Sequence, residues 1–192
     1  KIDVEELKKE IKSSKYKAVE INDLREHIEK ALEQMLAKNC TRRKFSERYK
    51  GIIDQYNAGG SENEDYYEKL AELIEDMKKE TQRPILEGLS EEELEVYDLL
   101  IADKRLTKAE EQKVKLAAKN LYKKLTENKK KLFVVDWYKD DKPLAYVRSE
   151  VSKSLDSDLP EAYDKDSFNV KVDLLVKHFM DMSVQGYGWV AH

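Results

Sequence analysis

The sequence marks the starts of helices directly. In three places a serine or threonine stands three residues before a glutamate, at the head of a stretch with regularly spaced apolar residues. These pairs are Ser61 with Glu64, Ser90 with Glu93, and Thr107 with Glu110. In such a capping box the hydroxyl accepts from the glutamate amide, while the carboxylate accepts from the amide of the capping residue. The 192 residues include only 6 Gly and 3 Pro, so there is little material for tight turns. We therefore predict an all-α fold, an irregular multi-helix bundle with short loops.

Apolar residues recur three or four positions apart along most of the chain, as the buried face of a helix requires. The predicted stripes begin at Ile21, Phe45, Tyr66, Leu94, Val114, Leu144 and Phe168. We expect Thr41 to cap the second of these helices and Pro84 to bias the chain out of the third, while Pro143 suits a first helical turn. The apolar run at 132–138 is compatible with a short helix or an extended connector. One domain is predicted over residues 1–192, with a loose tail from about 183 to 192.

Charge and cysteine content limit the possible partners and compartment. Lys and Arg total 36 against 40 Asp plus Glu, a formal net charge of -4, which builds no broad positive field, so any DNA contact must be local. The single cysteine, Cys40, excludes an internal disulfide and agrees with a reducing compartment. No apolar run approaches the roughly 20 residues that cross a bilayer. A cytoplasmic protein is expected.

The residues that usually carry chemistry are sparse. No phosphate-binding loop of the form G-x-x-x-x-G-K-[ST] occurs, so this segment is not expected to hydrolyse ATP. The nearest imitation of a metal-dependent nuclease is Asp136 with Glu150 and Lys153, and the three-residue spacing of the last two favours a surface charge pair. The three histidines, His27, His178 and His192, are expected at surface or boundary positions. We predict no catalytic, cofactor-binding or metal-ligating residue and no cofactor in this segment.

Two sets of residues are candidates for contacts with partners. Basic clusters give proteins salt-dependent affinity for phosphates, although solvated surface charge explains them as well. The possible nucleic-acid contacts are Arg42, Arg43, Lys44, Lys129, Lys130 and Lys131. Amphipathic aromatic residues outside the clearest stripes favour a protein interface. The candidates for a partner surface are Tyr138, Tyr146, Tyr187 and Trp189. The residues alone leave an adaptor, a subunit-docking domain and a helical binding module open.

Several ordered runs carry a resemblance to a known family. They are Thr41-Arg42, Phe45-Ser46-Glu47-Arg48-Tyr49, Ile52-Ile53-Asp54-Gln55-Tyr56-Asn57-Ala58-Gly59, Glu87-Gly88-Leu89-Ser90-Glu91-Glu92-Glu93-Leu94, Tyr97-Asp98-Leu99-Leu100, Leu106-Thr107, Val114-Lys115, Ala117-Ala118-Lys119, Val135-Asp136-Trp137 and Leu159-Pro160-Glu161-Ala162-Tyr163. In order and spacing these runs resemble the C-terminal helical region of the motor and endonuclease subunit (R, or HsdR) of type I restriction-modification enzymes. The sequence departs from the family pattern at Pro84 and at Tyr138-Lys139-Asp140-Asp141, so family contacts at those positions are not carried over.

The resemblance implies a role within a large cytoplasmic complex. Such complexes contain motor, methyltransferase (M) and specificity (S) subunits, translocate DNA with ATP and magnesium, and then cut it. The nuclease and motor motifs belong to other regions of the parent subunit, which contacts DNA through the whole complex. This segment would then be a non-catalytic docking piece that attaches the motor subunit to the methyltransferase core. A local DNA-contact module and an internal regulator of the helicase motor are the alternatives.

Overall fold

The computed structural model describes residues 18–60 and 63–185, and in this part of the chain every regular secondary-structure element is a helix. The α-helices are α1 (Ala18–Lys38), α2 (Arg43–Asn57), α3 (Asn63–Glu87), α4 (Glu91–Ile101), α5 (Lys108–Glu127), α6 (Lys129–Leu132), α7 (Asp141–Asp158) and α8 (Lys165–Val184), and a 3-10 helix (Cys40–Arg42) precedes α2. The described residues contain no β-strand, which confirms the all-α prediction. The contacts divide the chain into two compact units, unit 1 (Lys1–Gly88) and unit 2 (Leu89–His192), and the prediction of one domain stays a prediction.

Unit 1 buries the predicted stripes of α1, α2 and α3 in one apolar core. Its buried apolar residues include Leu24, Ile28, Leu32, Met35, Phe45, Tyr49, Ile52, Tyr66, Leu70, Leu73, Ile74 and Met77. Tyr56 stacks on Tyr66 with ring centroids 4.0 Å apart, so the C-terminal end of α2 contacts the first turn of α3 through these two rings. The spacing of three and four residues is the physical reason why each helix presents one continuous face to this core.

The helix that Thr41 was expected to cap begins differently. Asn39 lies in extended backbone, with φ -155°, and its Oδ1 accepts from both the amide (2.9 Å) and the hydroxyl (2.6 Å) of Thr41. The prediction that Thr41 is the N-cap is therefore wrong, because its hydroxyl is itself bound by the true capping side chain. The chain enters α2 through the three-residue 3-10 helix that directly precedes it.

Pro84 does not end α3. The helix continues through Pro84 to Glu87, and Gly88, with φ +65°, follows it. A proline inside a helix removes one backbone hydrogen bond and disfavours helical geometry in the residue before it. Here the ring of Pro84 is buried, which offsets part of that cost, and the positive φ that terminates the helix falls on the glycine. The capping box predicted at Ser61 falls partly outside the described residues.

Unit 2 confirms the other two capping boxes. Ser90 Oγ accepts from the Glu93 amide at 3.1 Å while the Ser90 amide donates to Glu93 Oε2 at 2.9 Å. The Thr107 amide donates to Glu110 Oε2 at 2.8 Å, and the Glu110 amide donates to Thr107 Oγ1 at 3.3 Å. The sequence signal therefore places the starts of α4 and α5 correctly.

The core of unit 2 is built by α4, α5, α7 and α8 together with the loop after α6. Its fully buried apolar residues include Leu94, Leu100, Val114, Ala118, Leu121, Leu125, Phe133, Trp137, Val147, Val151, Leu155, Leu175 and Phe179. Pro143 lies in the first turn of α7, as predicted, and the Leu159 backbone leaves the helix just before Pro160. α8 extends to Val184, so it overlaps the start of the predicted tail, while residues 186–192 lie outside the described residues.

The C-terminal end of α4 is completed by side chains from much later in the chain. Lys171 on α8 is buried, and its Nζ donates to the carbonyl oxygens of Leu99 (2.9 Å) and Ala102 (2.7 Å). The Tyr163 hydroxyl donates to the Leu100 carbonyl oxygen at 2.9 Å. These carbonyls have no partner within their own helix, so the lysine and the tyrosine satisfy them. Burial lowers the pKa of Lys171, and the two carbonyls stabilise its ammonium in compensation.

We expect Tyr163→Phe to change how the stability of unit 2 depends on alkaline pH. Burial, followed by repulsion from Tyr97 and Glu110, raises the pKa of Tyr163 well above its ordinary value of 10.0. The folded state therefore holds this proton more tightly than the unfolded state does. The resulting stabilisation is complete below about pH 10 and is lost as the pH rises above it. Urea unfolding at about pH 8 and about pH 11 measures the free energy of unfolding of both proteins, and the wild type should exceed the variant by less at the higher pH. A difference in unfolding free energy that stays constant with pH would contradict this prediction.

Candidate interaction surfaces

The loop between α6 and α7 is fixed from beneath by two aromatic side chains. Phe133 and Trp137 are fully buried, with their ring centroids 5.3 Å apart in an edge-on contact. The indole N–H of Trp137 donates to Ser183 Oγ on α8 at 3.0 Å. Asp136 takes the left-handed backbone conformation, with φ +58°, and its carboxylate lies 2.9 Å from Lys139 Nζ. A loop anchored in this way holds one arrangement of its outward side chains.

The same loop presents apolar side chains to solvent. Val135 is 77% exposed, Val134 is also exposed, and Tyr146 on the following helix is 47% exposed. Tyr138 is half-buried and its ring meets Trp137 edge-on. Of the predicted partner-surface residues, Tyr146 is therefore available to a partner and Tyr138 is partly so, while Tyr187 and Trp189 lie outside the described residues. The sequence had indicated the apolar run, but not that its two valines face outward.

The predicted basic contacts fall into both units and differ in exposure. In unit 1, Arg43 and Lys44 are exposed in the first turn of α2, where the helix dipole adds to their positive potential. In unit 2, Lys130 and Lys131 are exposed on α6 and Lys129 is half-buried.

Burial excludes Arg42 from the predicted nucleic-acid contacts. Only 1% of its side chain is exposed, and its Nε lies 3.2 Å from Glu80 Oε1. The same carboxylate oxygen lies 2.9 Å from Arg83 Nη2. The expected phosphate contact by Arg42 is therefore corrected, because its guanidinium is committed to an ion pair inside unit 1.

The acidic residues that imitate a nuclease site are neutralised by lysines. Glu150 lies 3.0 Å from Lys153 Nζ, as predicted for a surface charge pair, and 3.2 Å from Lys124 Nζ. Hydrogen bonds from Lys153 and then Lys124 lower the pKa of Glu150. Asp136 pairs separately with Lys139. Each carboxylate is therefore paired with a nearby lysine, and ion pairing accounts for Asp136, Glu150 and Lys153.

The histidines divide between the surface and the core. His27 is exposed, as expected, and His192 lies outside the described residues. His178 was expected at the surface or boundary, but it is buried, with Nε2 3.3 Å from Glu95 Oε2. The reason is that α8 packs against α4, where the buried Glu95 provides a partner for the imidazole.

Within the described residues, no helix has the length and apolar character to cross a membrane.

Comparison with known proteins gives one match, to a protein family. The comparisons with curated proteins and with solved structures found no match. Residues 2–183 match the family described as type I restriction enzyme HindI endonuclease subunit-like, C-terminal. This match extends over nearly all of the sequence and confirms the resemblance drawn from its ordered runs. The chain therefore belongs to this family, as the C-terminal part of a type I restriction endonuclease subunit.

Proposed function

We propose that this region is a docking and scaffolding domain, which attaches the motor subunit of an ATP-dependent type I restriction endonuclease to its methyltransferase and specificity subunits. The complex is cytoplasmic and acts on DNA, and the nuclease and ATP-driven motor belong to other parts of the parent subunit. The segment itself carries no active site. The observation that supports this role best is the display of Val135 and Tyr146 on a loop and helix that Trp137 holds in place.

A rigid apolar display suits a protein interface for an energetic reason. Association costs free energy because translational freedom and side-chain motion are lost, and a pre-ordered surface reduces the second of these costs. Valine and tyrosine add apolar contact area with few rotatable bonds. Isolated exposed apolar residues are common on soluble proteins, so the fixed loop beneath Val135, rather than exposure alone, supports the docking role.

Deletion of this region from the parent subunit tests the proposal. We expect the truncated subunit to hydrolyse ATP when DNA is supplied, yet to fail to co-purify with the methyltransferase and specificity subunits. Size-exclusion chromatography of the mixed subunits measures assembly directly. Assembly that is unchanged by the deletion would contradict a docking role, and loss of ATP hydrolysis would instead point to regulation of the motor.

A local DNA contact is the second candidate function, and the exposed lysines of α6 with Arg43 and Lys44 favour it. Each neutralised phosphate makes binding weaken steeply as salt rises. Titration of the chain with duplex DNA at two salt concentrations distinguishes this function from docking. Docking predicts no measurable complex at moderate salt.

A further inference from the structure

A pocket lies in unit 2 where the end of α7 meets the start of α8. Its volume is about 450 Å³, and clefts that bind ligands usually measure roughly 300–1,000 Å³. The apolar part of the lining comes from the last turn of α7, the connecting loop and the first turn of α8, and consists of Leu155, Leu159, Pro160, Tyr163 and Phe168. Leu155, Pro160 and Tyr163 are buried, while Leu159 and Phe168 are half-buried. One pocket therefore unites side chains from three consecutive segments.

Hydrogen bonds fix the loop that forms one wall of this pocket. The Tyr163 amide donates to the Pro160 carbonyl oxygen at 3.0 Å, and the Tyr163 hydroxyl donates to the Leu100 carbonyl oxygen at 2.9 Å. Lys104 Nζ donates to the Ala162 carbonyl oxygen at 3.0 Å. The loop is thus tied to α4 and to the turn after it. Such a wall is ordered before a ligand arrives, which reduces the entropic cost of binding.

The rim of the pocket carries an excess of negative charge. Asp156, Glu161 and Lys165 line it and are exposed. Residues 155–169 contain five acidic residues and one lysine. Lys104 brings a second positive charge to the loop, so the acidic residues remain in excess after both lysines are counted. Within the described residues, neither Asp156 nor Glu161 forms an ion pair with a lysine or arginine side chain. Both carboxylates are therefore available to a positively charged ligand.

We propose that this pocket binds a peptide segment in which an aromatic side chain stands next to lysine or arginine. The aromatic ring packs on Leu155, Leu159 and Phe168, and the neighbouring positive charges meet Asp156 and Glu161. An aromatic side chain adds a large contact area with few rotatable bonds. The assignment is separate from the docking role proposed above, since that role rests on the loop after α6, at the opposite end of α7.

The position of the charges favours a segment of a larger partner over a free small molecule. A small-molecule site encloses most of its ligand, whereas Asp156, Glu161 and Lys165 lie in solvent beside an apolar floor. A peptide backbone can cross such an opening while one side chain enters it, as an anchor residue does at a protein interface. Nucleic acid is disfavoured, because an acidic rim repels phosphates.

Titration of the full 192-residue chain with short blocked peptides tests the proposal. The probes are Lys-Trp-Lys, Glu-Trp-Glu and Lys-Ala-Lys, each flanked by glycine, and backbone amide shifts in NMR spectra report binding. We expect Lys-Trp-Lys to bind with a dissociation constant of about 1 mM or below and to shift the amides of residues 155–169. The other two peptides should bind at least about tenfold more weakly, because one lacks the matching charge and the other lacks the ring.

Substitutions at the pocket should change this preference in a defined direction. Asp156→Lys combined with Glu161→Lys should weaken binding of Lys-Trp-Lys about tenfold and make Glu-Trp-Glu the tighter ligand. Damage to the fold cannot produce that gain. Asn169 is exposed and lines the pocket, so Asn169→Trp should occupy it with a ring of the chain itself and weaken both tryptophan peptides.

Matched controls repeat these changes outside the pocket. Glu127→Lys with Asp140→Lys reverses two exposed charges near the opposite end of α7. Val170→Trp adds a ring at an exposed position one residue further along α8, where the side chain is not part of the lining. We expect both controls to bind Lys-Trp-Lys within about twofold of the wild type. Circular dichroism of every variant checks that folding is retained.

Each result decides for or against the proposal. Absence of shifts at residues 155–169 on addition of Lys-Trp-Lys overturns it. Equal binding of Lys-Trp-Lys and Lys-Ala-Lys also overturns it, because charge alone then accounts for the complex. If tryptamine binds as tightly as Lys-Trp-Lys, the pocket is a small-molecule site and the peptide assignment is wrong. Assembly with the other subunits is measured separately by the deletion experiment, so failure of one proposal leaves the other standing.

Discussion

Glu80→Ala is expected to lower the free energy of unfolding of unit 1 by about 3–5 kcal/mol. The Glu80 carboxylate is 7% exposed and lies 3.2 Å from Arg42 Nε and 2.9 Å from Arg83 Nη2. Removing it takes a carboxylate partner from the guanidinium of Arg42, which is almost completely buried. Breaking a buried ion pair by removing one partner costs far more than the intact pair contributes. Urea unfolding followed by circular dichroism measures the change.

Two companion variants make this prediction specific. Arg83→Ala removes the more exposed member of the trio, so we expect a loss of at most about 1 kcal/mol. Glu80→Gln keeps an acceptor near Arg42 and should fall between the wild type and Glu80→Ala. If Glu80→Ala and Arg83→Ala cost the same, burial of Arg42 does not determine the energy and the explanation fails.

Trp137→Ala is expected to destabilise unit 2 by about 3–5 kcal/mol. The indole is fully buried, contacts Phe133 edge-on and donates to Ser183 on α8. Its removal leaves a cavity beneath the loop and leaves the buried Ser183 hydroxyl without this donor. Because the same indole holds Val135 in place, the variant should also bind the methyltransferase complex more weakly under conditions in which it is still folded.

The neighbouring valine supplies the control for the tryptophan. Val135→Ala changes an exposed side chain on the same loop, so its effect on stability should stay within about 0.5 kcal/mol. Trp137→Phe keeps most of the aromatic volume but loses the bond to Ser183, and it should fall between these two variants. Thermal unfolding that is unaltered by Trp137→Ala would show that the loop does not depend on this anchor.

The helices of this protein could be predicted because their signals are local. The apolar spacing and the boxes at Ser90 and Thr107 act within a single turn, and the structure has α4 and α5 beginning where they indicate. The end of α3 was missed because burial of Pro84 depends on tertiary packing, which no local pattern contains. Thr41 was mistaken for the cap because Asn39, two residues earlier, has an equally suitable side chain.

The contact surfaces were predicted only in part. Tyr146 was identified because it falls outside the buried stripe of α7, a property that spacing reveals. Arg42 was misassigned because its partner, Glu80, is 38 residues away along the chain. Val135 was missed because a run of four apolar residues shows no period, so the sequence cannot indicate which of them turn outward. Side-chain orientation in such a loop follows from the positive φ of Asp136 and the burial of Trp137.

The distant bonds at the end of α4 imply an order of events during synthesis. Leu99, Leu100 and Ala102 reach their hydrogen-bond donors only when Tyr163 and Lys171, 63 to 72 residues later, have been added. Contacts between residues so far apart in sequence form late, because a long loop must close first. A nascent chain that has left the ribosome only as far as α5 therefore lacks the groups that finish this helix. Unit 2 becomes a cooperative whole only after α8 has emerged.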